Sequence, residues 1–133
     1  ACENLAWEIP QGDTLSAHIR FHGGGTAYVS ATLATPFVSR FAVFGTKGWI
    51  EVRDKAHVEA PAGWVVTSAW TGTPIEVREV APAEPVRDNL AAFAEAVRGR
   101  RAYPLTGEEM INNIAILESI IRSAGTGMVE LVA

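Results

Sequence analysis

Cysteine is almost missing from this chain, with Cys2 the one thiol in 133 residues. A single thiol closes no internal disulfide, which removes the cross-linked secreted scaffolds and makes a reducing, cytoplasmic setting the expectation. So close to the terminus, Cys2 is expected to be a solvent-exposed thiol. Excess positive charge is missing as well. Eleven Lys and Arg stand against 15 Asp and Glu, a net charge of −4, so the basic footprint of a nucleic-acid partner is lacking. No apolar run approaches the ~18 residues of a membrane span. The opening ACENLAWEIP has neither the basic nor the apolar region of a signal peptide. It also lacks an initiator methionine, so a fragment of something longer is expected.

The familiar chemical motifs are absent too. Gly45-Thr46-Lys47-Gly48 presents a lysine between glycines. A phosphate loop of the Walker type needs four residues between its glycines and a helix to follow. Here two residues intervene, and both flanks, FAVFG and GWIEV, are strand-like. The stretch reads as a hairpin turn. No G-x-G-x-x-G joins a strand to a helix, and Gly23-Gly24-Gly25 lies between two strands. His18 and His22 share one strand face but stand ~13 Å apart, too far to hold one metal together. His57 is isolated, and no Ser-His-Asp set can be argued. Glu108 and Glu109 are paired acids in the first turn of a helix, where the dipole stabilises them without any catalytic role. Asp88 and Asn89 have the same explanation. The expectation is therefore no catalytic residue, no cofactor ligand and no metal ligand in this chain.

What is there divides into two regimes. In Thr14–His22 the residues Leu15, Ala17, Ile19 and Phe21 alternate with Ser16, His18, Arg20 and His22, the period of a half-buried strand. The triple glycine closes a hairpin onto a second strand over Thr26–Thr35. Strands are predicted at Phe37–Phe44, Trp49–Arg53, His57–Glu59, Trp64–Ala69 and Ile75–Val80. Pro61-Ala62-Gly63 and Thr71-Gly72-Thr73-Pro74 supply turns between the last of them. Val86, Leu90, Phe93 and Val97 then fall on one face of a helix stopped by Gly99, with Arg98, Arg100 and Arg101 at its negative end. Thr106 and Glu109 form a capping box at the start of a second helix. Its stripe is Met110, Ile114, Leu117, Ile121 and Ala124, and Gly125 is expected to end it. Met128–Val132 reads as a closing strand. The class is α+β, one domain over 1–133, a large open antiparallel sheet with helices on one face.

The other face of that sheet would carry His18, Arg20, Tyr28, Ser30, Thr32, Val38, Arg40, Ala42 and Phe44. Arginine and aromatics among small residues suit a protein–protein interface. Homodimerisation, or a higher homo-oligomer, through this face is therefore expected. Of the four tryptophans, Trp49, Trp64 and Trp70 lie on or beside strands and read as packing rather than a sugar platform.

The order of these segments resembles the C-terminal domain of the glucose–fructose oxidoreductase / inositol dehydrogenase (Gfo/Idh/MocA) family. The resemblance rests on Asp13–Phe21, Gly24-Gly25-Thr26-Ala27, the hairpin FAVFGTKGWIEV, the run NLAAFAEAVRG, PLTGEE, and the ending Ser123-Ala124-Gly125-Thr126-Gly127. It implies a two-domain parent: a Rossmann domain binding NAD or NADP, and a domain like this one shaping the pocket for a sugar, polyol or related small molecule. The open sheet face commonly dimerises in that family. Its catalytic lysine belongs to the Rossmann domain, and its catalytic histidine precedes the first long strand. Nothing before Asp13 matches that histidine, so no catalytic residue carries over, and this chain alone is expected to be inactive. Two rivals stand beside it. One is a free-standing binding or assembly module; the other is a monomeric barrel with a closed apolar pocket.

Overall fold

A computed structural model of the chain describes residues 2–10 and 12–132, with the side chain of Cys2, and so its expected exposure, outside that description. The fold is α+β and open. Its strands pair antiparallel throughout, in two sheets. Two compact units divide the chain: residues 1–35 with 99–133, and residues 36–98.

The first unit holds β1 (Cys2–Glu3), β2 (Thr14–Arg20), β3 (Thr26–Thr32) and the longer helix. The sheet order is β1-β2-β3. Leu15, Ala17 and Ile19 are half-buried while Ser16, His18 and Arg20 are exposed, as the alternation predicts. The second unit holds β4 (Arg40–Gly45), β5 (Gly48–Asp54), β6 (Trp64–Trp70) and β7 (Glu76–Val80), a meander in sequence order, followed by helix α1 (Pro85–Val97). Val66, the third residue of β6, is the one buried hydrophobic residue among those described.

Some boundaries depart from expectation. Val38 precedes β4, whose pairing begins at Arg40 opposite Arg53. His57–Glu59 is a turn, closed by the Ala60 amide donating to the His57 carbonyl at 2.9 Å. Met128–Val132 forms no strand. Instead Ser123 Oγ donates to the Met128 carbonyl at 2.6 Å, and Arg122 pairs with Glu130 at 3.5 Å. These side-chain ties, invisible to a period-2 pattern, hold the segment to the end of the helix.

That helix, α2 (Gly107–Thr126), opens with the expected capping box. The Glu109 amide donates to Thr106 Oγ1 at 3.2 Å, and the Thr106 amide to Glu109 Oε2 at 2.8 Å. These bonds hold the Glu109 carboxyl below its ordinary range, the backbone donor first. Thr106→Ala is expected to cost α2 about 1 kcal/mol, read as a lower midpoint in thermal melts followed by circular dichroism. The helix runs through Gly125 and stops at Gly127, whose φ of 69° is the left-handed cap. Its apolar stripe stays exposed within its own unit, Ile114 by 55% and Ile121 by 62%.

Candidate functional site

On the first sheet, strand register brings the predicted face residues together. Arg20 lies opposite Thr26, His18 opposite Tyr28, Ser16 opposite Ser30 and Thr14 opposite Thr32. Cross-strand partners share a face, so His18, Arg20, Tyr28, Ser30 and Thr32 form one polar surface. The His18 and Tyr28 rings stack at 4.6 Å and 9°. Tyr28 is 81% exposed. Hydroxyls dominate this surface, and its charge comes from Arg20.

Arg40, Ala42 and Phe44 belong to the second unit and share a face of its sheet with Arg53, Glu51 and Trp49, their register partners. Glu51 lies 3.6 Å from Arg40 and 4.0 Å from Arg53. Both arginines are well solvated, so these pairs contribute little beyond orienting the side chains. The Phe44 and Trp49 rings meet tilted at 6.4 Å. Val38 is exposed ahead of the strand. The nine predicted residues thus fall into two groups, five on one sheet and the other four on or beside a second.

The glycine-flanked lysine is a turn, as its spacing predicts. Gly45 pairs with Gly48, leaving Thr46-Lys47 as a two-residue loop. The Thr71 amide and Oγ1 both donate to the Lys47 carbonyl, at 2.9 and 3.2 Å, tying this turn to the one after β6. A hollow of about 320 Å³ opens beside it, walled by Phe44, Trp49 and Trp70. None of its lining residues titrates, so it offers shape and aromatic surface but no acid, base or nucleophile. A second hollow, about 410 Å³, lies along α2 against Met110, Ile111 and Ile114.

Among the described residues no group of three or more His, Cys, Asp or Glu could hold a metal ion. His22 sits in the hairpin turn after β2, away from the strand face that carries His18. His57 meets Phe37 edge-on at 4.9 Å, and its Nδ1 accepts from the Glu59 amide at 3.3 Å.

The polar group that sequence reasoning missed is Asp13, which is 2% exposed. Its Oδ2 accepts the amides of Ala6 and Trp7, both at 2.7 Å. Its Oδ1 accepts the Leu5 amide and Thr14 Oγ1, both at 3.0 Å. Four donors, led by the Leu5 amide, hold the carboxyl far below the ordinary carboxylate range. With both oxygens occupied, Asp13 has no free acceptor for a substrate proton. It anchors the loop before β2. An aspartate just ahead of a strand was the available signal, since Asx side chains readily bond nearby backbone amides.

Comparison with known proteins adds what this geometry lacks. No family model matches the chain. D-xylose 1-dehydrogenase (NADP(+)) 2 of Haloferax volcanii is 26% identical over 113 residues, covering 85% of this chain and 34% of that enzyme. The resemblance to the Gfo/Idh/MocA oxidoreductases holds. The Gfo/Idh/MocA-like chain thus spans about a third of the length of the curated relative it matches. A solved structure from Desulfitobacterium hafniense, described as a proposed NADPH-dependent oxidoreductase, superposes with a TM-score of 0.72 at 16% identity. It covers 96% of this chain and 40% of that one. At that identity the likeness establishes the fold alone.

Proposed function

We propose that the chain is the C-terminal substrate and oligomerisation domain of an NAD(P)-dependent oxidoreductase that acts on a sugar, polyol or related hydroxy compound. The observation that carries this reading is the match to an NADP-dependent D-xylose dehydrogenase over 85% of the chain. The chemistry fits a supporting role. Hydride transfer needs a bound nicotinamide and a proton-transfer group beside the hydroxyl carbon. The hollow at the Gly45–Gly48 turn has aromatic walls and no such group, so it suits one wall of a pocket completed elsewhere. NAD or NADP belongs to another domain of the parent, and a cytoplasmic setting belongs to the same proposal. No helix among the described residues is long and apolar enough to cross a membrane. Self-association through the face of His18, Arg20 and Tyr28 is the domain's structural share.

The test compares this chain with the full product of its gene on a panel of pentoses, hexoses and polyols. The readout is nicotinamide absorbance with NAD+ and NADP+. The full product is expected to reduce a nicotinamide with at least one polyol, and the chain alone to show no turnover and no dinucleotide binding. Turnover by the chain alone would overturn the supporting role. A full product inert on every substrate would favour the second reading, a homo-oligomerising module without catalysis.

A further inference from the structure

The second sheet sets two arginines directly opposite each other. The Asp54 amide donates to the Ser39 carbonyl at 3.2 Å, which makes residues 39 and 54 a bonded pair at the end of the β4–β5 ladder. Bonded and non-bonded pairs alternate along such a ladder. Arg40 with Arg53, Ala42 with Glu51, and Phe44 with Trp49 are therefore all non-bonded pairs. Their Cα atoms stand ~4.5 Å apart, the closer of the two spacings. Like charges facing each other across a ladder destabilise it. Glu51 offsets one of the two. Glu79, the next acid on this face, is already held by Lys55 at 2.7 Å. One positive charge is left over.

Glu51 is itself unsatisfied. Its side chain is 23% exposed, and the nearest guanidinium nitrogens, at 3.6 and 4.0 Å, lie beyond hydrogen-bond distance. Thr67, its register partner on β6, is half-buried, and its hydroxyl bonds no described residue. Three rows thus cross this face, two residues or ~6.6–6.8 Å apart. Phe44 and Trp49 are aromatic, Glu51 and Thr67 offer an acceptor and a hydroxyl, and Arg40 and Arg53 are cationic. Ala42 adds only a methyl group to the middle row and leaves it open.

We infer that these rows bind a phosphorylated sugar, its ring on Phe44 and Trp49, its hydroxyls on Glu51 and Thr67, and its phosphate on Arg40 and Arg53. Each row suits its part. Aromatic faces take the C–H side of a sugar ring by dispersion and apolar burial. A carboxylate accepts from hydroxyls, and a threonine hydroxyl both donates and accepts. Guanidinium forks match phosphate oxygens. Charge selects the phosphate: a monoester carries about −1.5 to −2 at neutral pH, which offsets the surplus arginine. A neutral sugar would leave that charge in place, and free phosphate would leave the other two rows unused. The inference rests on the proposed function in taking the hollow at the Gly45–Gly48 turn as a pocket wall. It adds that phosphorylated sugars are held better than plain ones, on a sheet that the proposed self-association does not use.

The experiment is isothermal titration calorimetry of the native chain with glucose 6-phosphate and ribose 5-phosphate, against glucose, glucuronate and inorganic phosphate. At least one sugar phosphate is expected to bind with a Kd below about 1 mM, the range for a ligand of this size at a solvated site. The three controls should each bind at least tenfold more weakly. Arg40→Gln and Arg53→Gln should each weaken the sugar phosphate about tenfold. Both side chains are well solvated, so the fold should hold, and circular dichroism verifies it. Arg78→Gln, on the opposite face of the sheet, should leave binding unchanged. Should the arginine variants fail to fold, the controls on the native chain still decide. Sugar phosphates that do not bind at about 10 mM would overturn the inference. So would glucose binding as tightly, which would leave the arginines no part, or inorganic phosphate binding as tightly, which would reduce the face to an anion site. Glucuronate matching the sugar phosphates would overturn the choice of phosphate, and an equal loss in Arg78→Gln would show general charge attraction alone. No nicotinamide enters this titration. A failure here therefore leaves the turnover test of the full gene product standing, and an inert full product leaves binding by this chain standing.

Discussion

Gly63→Ala is expected to destabilise the second unit by about 3 kcal/mol, Gly48→Ala by about 2 kcal/mol, and Gly72→Ala by about 1 kcal/mol. The ranking comes from two separable penalties. Gly72 has φ +81° with nothing within 4 Å of an added Cβ, so alanine there meets only the left-handed backbone cost, ~1–2 kcal/mol. At Gly48 the backbone is ordinary, but a Cβ would run into the Ala69 carbonyl and lie 2.7 Å from the Trp70 ring. That forces β5 and β6 apart at the hairpin, an overpacking cost of ~1–3 kcal/mol. Gly63 combines both. Its φ is +89°, and a Cβ would meet the Val80 carbonyl and come within 3.1 Å of Pro82. Its own carbonyl meanwhile holds the Lys55 amide at 3.0 Å.

Urea titrations followed by tryptophan fluorescence measure all three, since Trp49, Trp64 and Trp70 lie on the strands concerned. Equal losses at Gly63 and Gly72 would show that β7 yields freely to an added methyl. The clash at Val80 would then be no part of what glycine does there. A loss at Gly48 below ~0.5 kcal/mol would mean that the second glycine of the turn is not required by the approach of β6.

These glycines also mark the limit of what the sequence discloses. Thr46-Lys47 is legible as a turn because its flanks alternate and its glycines bracket two residues. The capping box of Thr106 and Glu109 and the stripe of Val86, Leu90, Phe93 and Val97 are legible for the same reason: each is a pattern within one turn or a few turns of chain. What decides between Gly125 and Gly127 as the helix stop is less local. Ser123 and Arg122 bond the segment beyond Gly127, and only then does the left-handed residue fall at the later glycine. The division of strands into two sheets, which separates Arg40 and Phe44 from Tyr28, depends on which edges meet, and no period in the sequence encodes that. The resemblance to a dehydrogenase was legible in the order of weak motifs. The substrate was not, because no motif in the sequence names one, and the hollow beside the Gly45–Gly48 turn adds only the hydroxyls of Thr46 and Thr71 to its aromatic walls.

Asp13 is the residue whose removal should be felt furthest along the chain. Asp13→Ala deprives the amides of Leu5, Ala6 and Trp7 of their acceptor, and each should exchange with solvent about ten- to a hundredfold faster. Asp13→Asn separates the two oxygens. Its single carbonyl can take the place of Oδ2 and keep Ala6 and Trp7, while its NH₂ then faces the Leu5 amide, donor against donor; Thr14 Oγ1 can rotate to accept. Leu5 alone should lose protection in that variant, and equal loss at all three amides would rule out this division of labour. The same anchor makes the loop acid-sensitive in a defined direction. Because the native carboxyl lies below its ordinary value of 3.8, the unfolded chain takes up the proton first as pH falls. The anchor's stabilisation is therefore fully present at neutral pH, declines below about pH 4, and is lost only once the native carboxyl itself protonates. In Asp13→Ala that decline should disappear from the amide exchange of Leu5, Ala6 and Trp7 while it persists in the native chain. If both chains lose protection alike between about pH 5 and pH 2, another carboxylate holds the loop, and Glu3 on β1 is the next to replace.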